Sequence, residues 1–238
     1  LKICANSLWR YNRIMAEAQL LRSALFASHG LCAIFTQRQG GYNPPPFDSF
    51  NFGSDLGDSD IQIEKNLQQL RISGELPDLP HQANEVHGTD SLLCNGPGRI
   101  HNAAADILIA RESGATLGVR TADCLPVLLA DPQAGIVAAV HAGWRGTAAA
   151  VVTHAVQIMI QQGATSASII ASLGPCIGPC CFKIGEEAAL KLADCCVDAQ
   201  SCIQHHGVET VADIRAINRL QLLQCGLPEH HIETFGIC

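Results

Sequence analysis

Three short segments of this chain carry reactive side chains among glycines. They are Glu85-Val86-His87-Gly88, Thr121-Ala122-Asp123-Cys124-Leu125-Pro126 and Val140-His141-Ala142-Gly143-Trp144-Arg145-Gly146. His87, Cys124 and His141 together offer two imidazoles and a thiolate. Borderline-soft Zn²⁺ accepts such a set tetrahedrally, with the fourth position left for water. A metal held in this way lowers the pKa of its water toward about 7 and supplies a hydroxide near neutral pH. The same atoms support two other chemistries. In one, Cys124 is a thiolate nucleophile and His141 its base, as in cysteine hydrolases; that dyad has no need of His87. In the other, two His and one Cys hold an electron-transfer copper. A full multicopper centre needs many His, commonly as His-x-His pairs, and the ten His of this chain form none. Spacing alone does not choose among these. His87 and Cys124 lie 37 residues apart, and Cys124 and His141 lie 17 apart, so only the fold can bring them together. Ordinary core residues at strand ends would read the same way, because free Cys is commonly buried.

Other residues near these segments suit an anion. Arg145 follows His141 by four residues, next to a helix expected from Thr147, and a guanidinium fork beside helix N–H groups suits phosphate or carboxylate. Arg38, ahead of Gly40-Gly41, is a parallel case in a turn. Trp144 is either a stacking face for a base or a core aromatic. The segment Gly174-Pro175-Cys176-Ile177-Gly178-Pro179-Cys180-Cys181-Phe182 has a Cys-x3-Cys-Cys spacing that matches no tetrahedral zinc pattern. It is expected to be a stiff wall of the site and not a second metal centre. The His205-His206 and His230-His231 pairs, flanked by polar residues, are expected at the surface.

The elements that must position these residues follow from the apolar pattern. Leu31–Thr36 reads as a strand and Ile61–Ile72 as a helix capped by Ser59-Asp60, with Ile63, Leu67 and Leu70 on one face. Residues 106–109, 125–129, 135–140 and 168–173 are strand-length apolar runs. A helix is expected over Thr147–Gln162, stopping at Gly163, with others over Gly185–Ala193 and Asp213–Cys225. The reactive residues therefore sit at or beside strand ends, which deliver side chains to one rim of a sheet. Strands in hairpin-like succession with helices interspersed favour an α+β fold over a doubly wound parallel sheet.

The chain has 238 residues, 47% of them apolar and 16% charged, enough for one sizeable core. No apolar run approaches the roughly 18–20 residues that span a bilayer, so no membrane partner is expected. Net charge is −7 and basic residues do not cluster, so no nucleic-acid partner is expected either. Leu1–Arg10 lacks the apolar core of a secretory signal, and the absence of an initiator Met suggests that the sequence begins inside a translated product. Twelve cysteines include the vicinal pairs Cys180-Cys181 and Cys195-Cys196, which are awkward to bridge. A reduced, cytoplasmic protein is expected, with residues such as Cys4, Cys32 and Cys94 packed as small hydrophobes.

Taken in order, the motifs resemble the YfiH-like family, also described as laccase-domain or polyphenol-oxidase-like proteins. The likeness runs from about Phe35 to Cys238. It begins with Thr36-Gln37-Arg38-Gln39-Gly40-Gly41 and Phe47-Asp48-Ser49-Phe50-Asn51-Phe52-Gly53, and continues through the three reactive segments. Gly174–Pro179 and Asp213–Gly226 then follow in the family's order. The resemblance implies one catalytic domain over 1–238, with about the first 30 residues peripheral. It implies a central two-sheet mixed β-sandwich flanked by helices. It further implies zinc on His87, Cys124 and His141, with copper as the alternative. The implied activities are phosphorolysis of purine nucleosides, including methylthioadenosine, and deamination of adenosine; a copper-dependent polyphenol oxidase and a Cys–His hydrolase are the alternatives. Under it, Cys124, His141, Arg145 and Asp123 are the catalytic candidates. Arg38, Asn51 and Arg145 would meet a nucleoside substrate and its phosphate co-substrate. The sequence departs from the family in four places. Glu85 replaces Gln, which is expected to put a negative charge beside the metal; Asn66-Leu67 replaces Asn-Arg; Lys183 replaces Glu; and an aromatic, Arg-containing tail past Cys238 is missing. Glu85 and Asp123 compete as the proton shuttle that deamination requires.

Overall fold

A computed structural model describes residues 18–53 and 56–238, which fall into two compact units. The first takes in 18–21 and the described part of 36–74; the second takes in 22–35 and 75–238. Cys4 and most of the expected N-terminal extension lie outside the described residues.

In chain order the elements begin with β1 (Leu20–Arg22), α1 (Ala24–Ser28), β2 (Ile34–Thr36) and α2 (Asp60–Gly74). Then come β3 (Gln82–Asn84), β4 (Ser91–Leu93), β5 (Ile100–Ala104), β6 (Ile107–Ala110), β7 (Leu125–Asp131) and β8 (Ile136–Ala142). They are followed by α3 (Trp144–Ala148), α4 (Val151–Gln161), β9 (Ile170–Leu173), β10 (Lys183–Ile184) and α5 (Glu186–Ala193). The last are β11 (Ile203–His206), β12 (Glu209–Ala212), α6 (Ile214–Gln224) and β13 (Ile232–Thr234). The α+β class is as expected, and the strands form several sheets, the largest six-stranded and mixed.

In the first unit, α2 buries Ile63, Asn66, Leu67 and Leu70, a stripe at helical spacing. Asn66 is the organiser of the loop before it. Its Oδ1 accepts the Tyr42 N–H (2.9 Å), and its Nδ2 donates to Asn43 Oδ1, to the Asn51 carbonyl (2.7 Å) and to the Ser49 carbonyl (3.3 Å).

The second unit is built on the six-stranded sheet, in the order β13-β9-β7-β8-β6-β4. Strands β9, β7, β8 and β6 run antiparallel to their neighbours, while β13 and β4 add parallel edges. The central strands read as continuous apolar runs because both faces are covered. Alternate residues go to opposite sides. Ile107, Ile109, Leu125, Val127, Leu129, Ala138 and Val140 join the core formed with Val152, Ala155, Val156 and Met159 of α4 and with α6. Leu108 and Ala110 instead meet Ala83 and Ala105 of the β3–β5 segment, and Ala130 and Ile170 meet Phe26 of α1. Fully burying each such Leu, Ile, Val or Phe contributes roughly 1.5–3 kcal/mol.

Two expectations fail here. The single helix over 147–162 is two, α3 and α4, parted by Ala150 in the left-handed region (φ 57°). The cause is tertiary. α6 supplies Gln221, whose Nε2 donates to the Thr147 carbonyl (2.9 Å), and Asn218, whose Nδ2 donates to Thr147 Oγ1 (2.8 Å), and both hold the turn where the helix breaks. Cys32 is exposed, not packed in the core, because only the last residues of 31–36 enter a strand; Cys94 is fully buried, as expected. Every described cysteine is unbridged. No helix among the described residues is long and apolar enough to cross a membrane.

Candidate metal centre

Strand register brings the three reactive segments to one rim of the six-stranded sheet. In the β7–β8 hairpin Leu125 pairs with Ala142 and Pro126 with His141, so Cys124, just before β7, lies beside the end of β8. On the other side of β8, Ile107 pairs with Val140, and the His141 N–H continues the ladder to the Asp106 carbonyl (2.8 Å). Strand β4 runs parallel to β6, and the Asp90 carbonyl accepts the Asp106 N–H (3.0 Å), which anchors the loop carrying His87 to the same rim.

The ligating atoms of His87, Cys124 and His141 all lie within 4.8 Å of one another, and Cys124 Sγ is 3.8 Å from His87 Nε2. A tetrahedral zinc with its usual bond lengths sets neighbouring donors about 3.3–3.8 Å apart, so the Cys124–His87 spacing already suits one and the other pairs would close by about 1.5 Å at most. His141 is buried, Cys124 half-buried and His87 exposed, so the cluster opens to solvent on the His87 side. Room for an ion is kept by Gly143. A Cβ there would stand 2.7 Å from His87 Cδ2 and 2.9 Å from Cys124 Sγ, inside contact distance of two of the three donor side chains.

Behind the donors sits a residue that motif reasoning missed. Asp106 is fully buried, and its Oδ1 is 2.7 Å from His141 Nδ1. The same carboxylate accepts the backbone N–H groups of Val86 (3.2 Å), His87 (3.0 Å) and Gly88 (2.8 Å). His87 has a left-handed backbone (φ 61°), a cost for a residue with a Cβ, and these three bonds fix it. With its Nδ1–H given to Asp106, His141 presents Nε2 toward the cluster, the arrangement that commonly orients a metal-ligating imidazole. Burial raises the Asp106 pKa, but the hydrogen bonds from His141, Gly88 and Val86 outweigh it and hold the carboxyl below its usual value. Burial likewise opposes charge on His141, yet hydrogen bonds and charges from Asp106 and Cys124 push that imidazole up to about 9 when no metal competes. The signal in the sequence was a lone acid heading the fully apolar run 106–109.

The remaining candidates are placed less centrally. Glu85 does not direct its charge at the cluster. It pairs with Arg120 (2.7 Å) and accepts the Arg120 N–H (2.9 Å), a double tie that withdraws it from proton shuttling. Asp123 is exposed, and its carbonyl accepts the Ile177 N–H (2.9 Å). Arg145 is not ahead of a long helix but inside the five-residue α3. It is exposed, its guanidinium lies 4.4 Å from the Trp144 ring centroid, and it faces a shallow concavity that Lys191 and Asp194 also line. In the first unit, Arg38 is tied to Asp48 (2.9 Å), and Asn51 donates to Asp58 (2.6 Å). Elsewhere in the second unit, His81, Cys94 and His101 also cluster. His81 Nε2 donates to the Gly96 carbonyl (3.2 Å), and its Nδ1 meets His101 Nε2 at 2.9 Å, so this pair satisfies itself.

A family model described as multi-copper polyphenol oxidoreductase laccase matches residues 32–238. Purine nucleoside phosphorylase YfiH of Shigella flexneri is 36% identical over 200 residues, covering 84% of this chain and 81% of that protein. Purine nucleoside phosphorylase YlmD of Geobacillus stearothermophilus is 30% identical over 225 residues, covering 88% of this chain and 81% of its own. The crystal structure of YfiH from Bacillus licheniformis has a TM-score of 0.85 at 25% identity, over 96% of this chain and 90% of that one.

Proposed function

Because this chain belongs to the multi-copper polyphenol oxidoreductase laccase family, whose relatives above carry phosphorylase names, we propose that it is a zinc-dependent purine nucleoside phosphorylase. Adenosine deamination and methylthioadenosine phosphorolysis are proposed as further activities of the same site. The enzyme is taken to work in the cytoplasm on a small nucleoside and phosphate, with 1–238 acting as one catalytic domain. The observation that carries the reading is the meeting of His87, Cys124 and His141 at one rim, with Asp106 fixing the His141 tautomer.

A bound zinc would supply Lewis acidity toward an oxygen of the substrate or of water. The chain's own residues do the rest. Asp106 holds one proton on His141 Nδ1 and so keeps Nε2 free as a donor. Gly143 leaves the space beside Cys124 and His87 that a substrate oxygen would enter. Arg145, exposed and stacked on the Trp144 ring, is the candidate to hold a phosphate through its N–H fork as charge develops at the ribose. Arg38 and Asn51 are assigned to substrate from the family resemblance. Asp123, with an exposed carboxylate, is the candidate for proton transfer now that Glu85 is held by Arg120.

One observation favours a second reading. Cys124, His141 and Asp106 stand in the order nucleophile, base and orienting acid, which suits a cysteine hydrolase. A single experiment separates the two. Purified protein is incubated with inosine and phosphate, before and after chelation and zinc restoration. Hypoxanthine and ribose 1-phosphate that vanish on chelation and return with zinc support the first reading. No phosphorolysis by zinc-loaded protein sinks it, and hydrolysis that survives chelation but not alkylation of Cys124 supports the second.

A further inference from the structure

The loop after β9 carries Cys180 and Cys181, and the chain returns past β13 to bring Cys238 against them. Cys180 Sγ is 3.5 Å from Cys181 Sγ and 3.5 Å from Cys238 Sγ, and all three sulfurs lie within 4.8 Å of one another. This group is separate from His87, Cys124 and His141 and shares no residue with them.

We propose that Cys180, Cys181 and Cys238 form a second metal site, which takes one soft, thiophilic cation through three thiolates. Geometry carries the case. Three sulfurs about 2.3 Å from one ion stand roughly 3.8–4.0 Å apart, so the two spacings to Cys180 need shifts of only a few tenths of an ångström and the third pair lies within about 1 Å of that range. A disulfide between the neighbours Cys180 and Cys181 is disfavoured, because adjacent Cα atoms are about 3.8 Å apart and disulfides usually need 4.4–6.8 Å. All three thiols are exposed, so an ion can reach them without opening the core. The backbone is arranged for an anionic sulfur. The Gly178 N–H donates to Cys238 Sγ (3.2 Å), and Arg215 Nη2 donates to the Ile237 carbonyl (2.7 Å), which fixes the segment bearing that thiol. Binding would deprotonate the three thiols, and a soft cation between them would offset the repulsion among the thiolates so formed. The local spacing Cys-x3-Cys-Cys gave no sign of this, because the third donor comes from 57 residues beyond Cys181.

The probe is Cd²⁺, titrated into the fully reduced 1–238 chain without oxygen, with the thiolate-to-cadmium absorption band and bound metal both recorded. Cys124→Ser keeps one equivalent with three-thiolate intensity. Cys181→Ser on that background lowers the band by about one third and weakens binding about 10-fold or more, and Cys180→Ser and Cys238→Ser do the same. A Cys181→Ser change in the otherwise unaltered chain gives the same difference spectrum and covers the case in which Cys124→Ser fails to fold. The proposal is overturned if reduced protein shows no band beyond that of Cys124, or if none of the three serine variants alters it.

Discussion

Replacing Asp106 by Asn tests the support behind the candidate metal centre with almost no change of shape. In the native carboxylate, Oδ1 serves His141 Nδ1 and the His87 N–H, while Oδ2 serves the Val86 and Gly88 N–H groups. The amide of Asn has one oxygen, so one of these pairs must face an NH₂. If that pair is Val86 and Gly88, two backbone donors in partly buried bonds lose their acceptor on a fully buried side chain. Each unsatisfied donor costs about 1–3 kcal/mol, so the variant should lose up to about 2–6 kcal/mol of stability. If the NH₂ faces His141 instead, the ring relieves the clash by moving its proton to Nε2, which removes the lone pair a metal would use. Metal affinity should then fall about 10–100-fold, the usual effect of removing an outer-shell carboxylate. Urea titration of the metal-free protein reads the first quantity, and competition with a coloured chelator reads the second. Asp106→Asn protein with an unchanged urea midpoint and zinc affinity within twofold of native would refute the reasoning.

Three other outcomes are expected. Gly143→Ala pushes a methyl into His87 and Cys124, so it should weaken zinc binding at least about 10-fold while far-ultraviolet dichroism stays native. Zinc binding should release protons near neutral pH, since His141, whose pKa lies at about 9 in the metal-free protein, must give one up; calorimetry in two buffers of different ionisation enthalpy measures it. Asp131 closes the β7–β8 turn, and hydrogen bonds from Ser168, Ala134, Thr165 and Gln133 outweigh burial and hold its pKa below the usual value. A depressed pKa contributes stability that is present above the unfolded value of about 3.9 and is lost as pH falls through the folded one. Asp131→Asn should therefore flatten the loss of stability below about pH 4, and an unchanged acid limb in thermal melts would count against it.

Much of the site was legible because it lies where local pattern is strong. Cys124 and His141 bound unbroken apolar runs, and such runs become central strands once both sheet faces are covered. Helices α2, α5 and α6 were legible from their apolar stripes and caps; Asp213, for instance, accepts the Ala216 N–H (2.9 Å). The helix over 147–162 was misread because its break depends on donors from α6, some seventy residues later. Glu85 was misread for a related reason: its partner Arg120 is 35 residues away, and no local rule pairs them.

The sequence by itself determined the donor types, the strand ends that carry them and the α+β class, because side-chain chemistry and hydrophobic period are properties of neighbouring residues. Only the tertiary structure decided that His87, Cys124 and His141 meet, that Asp106 stands behind them and that Cys238 joins Cys180 and Cys181. Those contacts are set by the register of β6, β7 and β8 and by the return of the chain past β13. Register is a relation between distant segments, and no short stretch of sequence contains it.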